Sequence, residues 1–406
     1  MINQQEVSQR LQSSIKIYQD PNLQIIIGIT LMAVLGSSSI GPTLPSLAED
    51  FNVSPEHIGW VITAFVIPIA VGTPISGVLA DRYGRKQILV PALLLFAIAG
   101  MVCSLAPNFR TLIEFRFVEG VGAAPLESLA LTLISDLYRG KLLTAAMAFN
   151  ATSIGLSLAI YPLISGGLTT WGWRYAFLLP LLAVPLSFLV LFVLRIPQNP
   201  QPETFDLKSY LGNIWNNVNN RQVMGLLIAV VALFILLFGP YFTYIPLLAD
   251  AQLGASHFVI GIILASMALS LAFVSSQLGL FARSLSEFTL IKASFVVYAI
   301  ALIITPAIHQ VWLLFIPSML FGLAHGMVFP STQALLGELA PQEYRAGFMA
   351  VNATMLSLGQ ALGPILAGGM FTIWGMQGVF YSSAVFALVI LIFLSYLLMR
   401  ISSPKR

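Results

Sequence analysis

Long apolar stretches separated by short polar breaks run through the whole chain. A helix that crosses a bilayer needs about 20 mainly apolar residues, and twelve stretches meet this requirement. Several contain Pro or Gly, which membrane helices tolerate when neighbouring helices satisfy the freed backbone groups. The pattern predicts an all-α integral membrane protein with twelve transmembrane helices at approximately 23–47, 57–80, 87–106, 110–136, 142–168, 175–195, 222–248, 256–281, 288–307, 311–337, 345–371 and 377–400.

Composition agrees with a membrane protein. Hydrophobic residues make up 58% of the chain and charged residues only 9%, whereas a soluble protein carries roughly 25% charged residues. The net charge is +3, but the basic residues are scattered, so we expect no nucleic-acid partner. Cys103 is the single cysteine, which excludes an internal disulfide and a multi-cysteine metal site. We expect no metal and no cofactor.

The distribution of Lys and Arg predicts the orientation. Cytoplasmic loops of membrane proteins carry an excess of these residues. The loops on one side hold Arg110 and Arg174, and all other Lys and Arg except Arg116 lie at the chain ends or on the opposite side. We therefore expect both termini in the cytoplasm and the protein in the inner (plasma) membrane. The basic residues on the predicted cytoplasmic side are Arg10, Lys16, Arg82, Arg85, Lys86, Arg139, Lys141, Arg195, Lys208, Arg221, Arg283, Lys292, Arg345, Arg400, Lys405 and Arg406.

An internal repeat predicts two similar halves. The sequence Asn150–Thr152 recurs 202 residues later as Asn352–Thr354, and Pro162 recurs as Pro364. Duplicated halves with a binding site at their interface are typical of secondary transporters. We expect two pseudo-symmetric six-helix bundles with a polar linker between them. The predicted parts are a cytoplasmic segment 1–22, a bundle 23–195, a cytoplasmic linker 196–221, a bundle 222–400 and a tail 401–406.

The loop after the second span carries closely spaced glycines and charges. It runs from Gly77 to Lys86 as GVLADRYGRK. Gly77 permits close helix contact and Gly84 a tight turn. The charges can form ion pairs that hold one conformation and break in another. Positive-inside bias alone explains the basic residues but not Asp81 or the glycine spacing.

This loop resembles the GxLaDRxGRK signature of the major facilitator superfamily. Two further stretches are similar to motifs of its twelve-span drug/proton antiporters: Leu35–Pro45 in span one and Arg116–Ala124 in span four. The resemblance implies the MFS fold and alternating access. It also implies a conformational latch in which Arg85 pairs with Asp136 and Asp81 faces the start of span eleven. The latch residues are Gly77, Asp81, Arg82, Gly84, Arg85 and Asp136.

Span four carries the charges that need an explanation, because a charge at the bilayer centre is costly and usually faces an interior path. At 100° per residue, Arg116, Glu119 and Glu127 fall within about 80° of one another. Arg116 and Glu119 have the spacing of an intrahelical ion pair, whose role is either structural or coupling. Glu127 has no basic residue one turn away, so it either carries a proton or a cation or stays permanently protonated. We expect proton coupling to involve Glu127, Glu119 and Arg116.

Weaker candidates for a substrate cavity are polar side chains at the depth of the bilayer centre. For each of them a helix-to-helix hydrogen bond is the alternative role. These candidates are Ser38, Tyr241, Tyr244, His325 and Gln360.

These observations favour a proton-coupled exporter of small lipophilic or cationic, drug-like compounds. The alternative is a proton-coupled exporter or importer of one metabolite, such as a sugar or a siderophore. An enzyme is not indicated, because no catalytic cluster of His, Asp or Cys is found at a membrane face. The sequence GxxxxGK[ST] of ATP-binding loops is also missing. The expected partners are a small-molecule substrate, protons and the lipid bilayer, with the protein acting as a monomer.

Overall fold

The computed structural model describes residues 17–196, 220–281, 285–339 and 345–398, and the regular structure of these residues is helical. The predicted segments 1–22 and 401–406 and the linker 196–221 lie wholly or mainly outside the described residues. So do seven of the basic residues used for the orientation: Arg10, Lys16, Lys208, Arg283, Arg400, Lys405 and Arg406.

Among the described residues, 11 helices are long and apolar enough to cross a membrane. Some of them join an α-helix to a short 3₁₀ or π segment. They are α1 (Pro21–Asp50), α2 (Pro55–Tyr83), α3 (Arg85–Ser104), α4 (Phe109–Leu137), α5 (Gly140–Thr169), α6 (Trp173–Phe192), α7 (Arg221–Leu253), α8 (His257–Phe281), α9 (Glu287–Ala307), α10 (Val311–Leu339) and α11 (Arg345–Leu398).

The count differs from the twelve that the pattern predicted because α11 has 54 residues. A continuous helix of this length measures about 80 Å, more than twice the hydrocarbon thickness. Gly375 interrupts it with a non-helical backbone (φ 67°, ψ −166°). This glycine lies between the two spans predicted at 345–371 and 377–400.

Two helices change their winding inside the bundle. Gly41–Thr43 forms a 3₁₀ turn within α1, where Pro42 and Pro45 lack the N–H groups that a regular helix uses. In α7, Leu237–Tyr244 is π-helical around Pro240. Such π segments are frequent at functional sites, and this one contains Tyr241 and Tyr244.

The sequence repeat has a counterpart in helix packing. Gly120 in α4 lies against the backbone carbonyl of Phe65 in α2, and Gly322 in α10 lies against that of Met267 in α8. Both partners of the second contact lie 202 residues after those of the first. In each case a Cβ would collide with backbone, so glycine is what allows these helices to approach.

The two ends of the helix assembly differ in how the halves of the chain meet. At one end, Gly59 packs on Pro364 and Gly261 packs on the carbonyl of Pro162. Thr63 there donates a hydrogen bond of 3.0 Å to the carbonyl of Ala361. We call this the closed end.

At the other end, α2 is less buried by neighbouring helices. The side chains from Val61 to Val66 are all buried, but Val71 and Val78 are 61% and 63% exposed. We call the end that carries Gly77–Arg85 the open end.

Candidate transport site

Arg116 and Glu119 form a buried ion pair in α4. The Nη1 of Arg116 lies 2.9 Å from the Oε2 of Glu119, and the two side chains are 2% and 1% exposed. Their spacing of three residues places both on one helix face. A pair this well buried is stabilised only if its remaining donors and acceptors also find partners.

Arg116 satisfies this condition. Its Nε donates to the carbonyl of Val61 at 3.1 Å, and its Nη2 donates to the carbonyl of Gly36 at 2.8 Å. The guanidinium also lies 4.2 Å from the ring centroid of Phe65, within the range of a cation–π contact. Arg116 therefore ties α4 to α1 and α2.

Glu119 is less completely satisfied. Its Oε2 accepts from Arg116 and has a long contact of 3.9 Å with the Sγ of Cys103. Its Oε1 is buried and has no hydrogen-bond partner among the described residues. A cavity of about 10 Å³ adjoins Arg116 and Glu119, which is close to the minimum for one water molecule, about 10–15 Å³. Within the described part of the chain, Oε1 of Glu119 is therefore the polar side-chain atom of the pair that remains without a partner.

Glu127 lies in a different environment. It is two turns beyond Glu119, or about 12 Å along the helix axis, and its side chain is exposed. Within the described residues it has no hydrogen-bond or ion-pair partner. Arg116 points about 20° from the same direction but is buried, so this face of α4 opens towards the open end. The structure therefore separates Glu127 from the ion pair.

The second half of the chain contributes an aromatic cluster instead of charges. His325 in α10 shares a hydrogen bond of 2.7 Å between its Nδ1 and the hydroxyl of Tyr298 in α9. Its ring is stacked on Phe329 with centroids 5.9 Å apart and meets the edge of Phe234 at 5.7 Å. Tyr298 was not among the sequence candidates, because an aromatic residue in an apolar run gives no signal of its own.

The other cavity candidates are not gathered around one space. Ser38 is buried and donates to the carbonyl of Val34 at 2.8 Å. Tyr241 is buried, with its hydroxyl 2.6 Å from that of Ser318. The hydroxyl of Tyr244 donates to the carbonyl of Pro55 at 3.0 Å and so joins the halves at the closed end. Gln360 is half-buried and has no hydrogen-bond partner among the described residues.

Arg85 and Asp136 are in contact at the open end. They form an ion pair between the start of α3 and the end of α4. Asp81 is 60% exposed, and its nearest described partner is Arg85 at 3.8 Å. The residues just before α11, 340–344, lie outside the described part of the chain. In this conformation the described contacts of these charges stay within one half.

The glycines of this loop differ in their surroundings. Gly84 has a φ of 98° and ends α2, so the expected tight turn is confirmed. Among the described residues, no atom lies within 4 Å of a Cβ built on Gly77, so the described part of the chain shows no close helix contact there. Arg82 lies over the ring of Tyr83 at 5.4 Å.

Comparison with known proteins identifies the family. The sequence model of the Major Facilitator Superfamily matches residues 26–292 and 249–406. The chain belongs to this superfamily. Among similar proteins, Multidrug resistance protein 3 of Bacillus subtilis is 25% identical over 413 residues, covering 86% of this chain and 79% of that protein. The niacin transporter NiaP of Acinetobacter baylyi is 29% identical over 170 residues, covering 41% of this chain and 37% of that protein.

Solved structures support the fold. A bacterial homologue of the human lysosomal transporter Spinster, in an inward-facing and unoccupied conformation, superposes with a TM-score of 0.81. The identity is 16%, and the match covers 95% of this chain and 98% of the other. At this identity the likeness concerns the superfamily fold alone.

Proposed function

We propose that this protein exports small lipophilic or cationic compounds across the inner membrane by alternating access, driven by proton influx. The observation that carries the proposal is Glu127, an exposed carboxylate without a described partner on the face of α4 that opens at the open end. Such a group attracts a cation or accepts a proton. The relative named for multidrug resistance, which matches most of this chain, supports the same reading.

The proposal includes a membrane topology. We place twelve crossings in two six-helix bundles by dividing α11 at Gly375. Apart from Arg110, Arg116 and Arg174, the basic residues of the described chain then lie on the side of the open end, which we assign to the cytoplasm together with both termini. In this assignment the structure corresponds to a state that is open to the cytoplasm and closed to the outside. We take the transporting unit to be a single chain.

Exchange follows if Glu127 holds either a proton or a cationic substrate but never both. In the conformation that is open to the cytoplasm, the protonated carboxyl of Glu127 loses its proton to the cytoplasm. The resulting carboxylate then attracts the substrate. Each ligand changes the balance of conformations according to its different affinity for them. Glu119, with its free Oε1, and Arg116 supply a second place where protonation changes a contact between α4 and α1.

The loop at the open end supplies the latch. We propose that the two bundles approach each other there in the outward-open state. Gly77, which has open space around it now, then faces the other bundle. Asp81 reaches the start of α11, and the pair of Arg85 with Asp136 fixes the loop in position.

A transporter for one metabolite is the second candidate. The local match to a niacin transporter favours it, as does the fixed pair of His325 and Tyr298. A fixed polar pair in an aromatic surrounding can select one planar polar molecule, whereas a carboxylate in an open space accepts many cations.

The test uses inside-out vesicles with an imposed proton gradient, to which lipophilic cations are added while proton release is followed. We expect substrate-induced release in the wild type and none in Glu127→Gln. The matched control is Glu114→Gln on the same helix, where the side chain is 56% exposed and paired with Arg110. Release that persists in Glu127→Gln removes Glu127 from the mechanism. Failure of a broad panel of cations in the wild type favours the metabolite transporter.

A further inference from the structure

A cleft of about 300 Å³ opens on the closed end, between the start of α2 and the middle of α11. Its walls come from both halves of the chain: Glu56, His57 and Trp60 on one side and Pro364, Ile365 and Gly369 on the other. It is separate from the ion pair of α4 and from Glu127, and none of the residues assigned a role above lines it.

The helix contacts beside the cleft explain why space remains there. Gly59 touches the side chain of Pro364, and Gly368 lies against the carbonyl of Glu56. These contacts hold α2 and α11 at a fixed distance. A Cβ built on the next residue, Gly369, would have no atom of the described chain within 4 Å. The cleft thus lies alongside the contacts between the two helices, and Glu56, Pro364 and Gly368 belong to both.

The cleft joins a negative charge to an apolar surface. The side chain of Glu56 is 28% exposed, and its Oε1 lies 3.8 Å from the Nδ1 of His57. No lysine or arginine of the described chain lines the space. Trp60 is 42% exposed and Ile365 37%. A carboxylate beside an indole ring recognises an organic cation, by charge and by cation–π attraction, and the aliphatic wall suits an attached hydrocarbon chain.

Comparison of the two halves of the chain shows that the carboxylate of Glu56 is not repeated at the equivalent position of α8. The same helix contact recurs between α8 and α5, where Gly261 lies on Pro162. The residue of α8 that corresponds to Glu56 is Phe258, which is 47% exposed. The packing is repeated but the carboxylate is not, so the acidic cleft is not a by-product of the fold's symmetry.

We propose that the cleft between α2 and α11 binds an amphiphilic organic ammonium ion. Its charged group lies at Glu56 and against Trp60, and its apolar part lies on Pro364, Ile365 and Gly369. The chemistry is shared by two sources, the ammonium headgroup of a lipid and a soluble alkylammonium or arylammonium compound.

The test follows tryptophan fluorescence of the purified protein in maltoside micelles, which contain no ammonium group. The probe is hexylpyridinium, a cation with a short chain whose ring quenches an indole on contact. We expect saturable quenching in the wild type. Trp60→Phe removes this saturable part, while Trp312→Phe, which deletes a tryptophan that is 61% exposed elsewhere, leaves it in place.

Two further variants test the chemistry of the site. Glu56→Gln weakens binding about fivefold, as loss of a partly exposed ion pair implies. Gly369→Leu fills the cleft and abolishes saturable quenching. Its matched control is Gly167→Leu at the repeat-related position of α5, where the nearest atom to a Cβ lies 3.9 Å away, and it keeps the wild-type response.

The results distinguish a lipid headgroup from a soluble ammonium compound as the ligand, and they also show whether the proposal is wrong. If phosphatidylethanolamine added to the micelles competes with hexylpyridinium in the wild type, a lipid headgroup occupies the cleft. If it does not compete, the ligand is a soluble ammonium compound. Quenching that is unchanged in both Glu56→Gln and Gly369→Leu overturns the proposal. Because binding is read without transport, the result stands apart from the test of Glu127.

Discussion

Arg116 and Glu119 face each other at 2.9 Å inside the helix assembly, with both side chains almost wholly removed from solvent. Removal of one member leaves the other charge buried without its partner. This is far more costly than loss of an exposed pair, because the remaining group keeps its desolvation penalty.

We therefore expect Glu119→Gln to destabilise the folded protein by about 3–5 kcal/mol. The measurement is the midpoint of thermal unfolding in detergent, followed by circular dichroism. The control is Arg110→Gln, which breaks a pair with side chains 89% and 56% exposed and costs at most about 1 kcal/mol. Equal shifts of the midpoint in the two variants would show that burial of the pair has no energetic consequence.

Two glycines differ in what a larger side chain would meet. Gly120→Val forces a side chain against the carbonyl of Phe65, while Gly77→Val points into open space. We expect Gly120→Val to prevent accumulation of folded protein, because backbone cannot move away from the clash. We expect Gly77→Val to fold with wild-type thermal stability but to lose transport, since the proposed latch needs close approach at this position.

Expression level and unfolding midpoint check the first expectation, and vesicle transport checks the second. Normal transport by Gly77→Val would remove Gly77 from the latch. Normal folding of Gly120→Val would mean that α2 and α4 do not need the approach seen here.

Tyr138, just after α4, has a pH-dependent contribution to stability. Its hydroxyl donates a hydrogen bond of 2.6 Å to Asp20, at the start of α1. Burial, reinforced by this bond and by the negative charge of Asp20, raises the pKa of Tyr138. A raised pKa means that the folded state favours the neutral phenol. The stabilising contribution is therefore complete below the unfolded value, near pH 10, and is lost as the pH rises through the folded value.

Tyr138→Phe should lower the unfolding free energy by about 1 kcal/mol at pH 7. The difference from the wild type should shrink above pH 10. Thermal unfolding at a series of pH values measures it, with Tyr175→Phe as the control because that ring is 51% exposed. A difference that stays constant up to pH 12 contradicts the assignment.

The contact between Thr63 and Ala361 offers a way to hold the closed end. Their hydrogen bond of 3.0 Å joins positions 298 residues apart. We expect a disulfide between Thr63→Cys and Ala361→Cys, in a chain whose Cys103 is replaced by Ala, to stop transport, and a reductant to restore it. Mass spectrometry of the oxidised protein confirms the cross-link. Transport by the fully cross-linked protein would show that the halves do not separate there.

The sequence predicted the helices well because each span is a local signal, a sufficient length of apolar residues. Gly84 was also predictable, since a positive φ is strongly tied to glycine. The described residues show 11 long helices where the pattern predicts twelve spans, because α11 runs across the non-helical backbone of Gly375, which lies between two predicted spans. Local hydropathy carries no information on whether such a residue bends or ends a helix.

The candidate site was predicted less completely. Helical phase places Glu127 on the face of Arg116, but phase does not tell which part of a face other helices bury: Glu127 is exposed and Arg116 is buried. Burial of a residue depends on helices that are distant in sequence, as in the contact of Thr63 with Ala361. The cleft at Glu56 was missed for the same reason, because its two walls come from opposite halves of the chain and neither has a motif.

The two halves of the chain touch where Gly59 lies on Pro364 and where Gly261 lies on Pro162. Almost no side chains lie between the helices at these two contacts. These two contacts bury few long rotamers, and the polar contacts of the closed end include the hydrogen bonds of Thr63 with Ala361 and of Tyr244 with Pro55. Opening the glycine–proline contacts releases little side-chain freedom, so what holds the halves together at these positions is close packing. A larger side chain at Gly59 or Gly261 would collide with Pro364 or with the carbonyl of Pro162, and so would disfavour the conformation that is closed at this end without touching any residue of the proposed transport site.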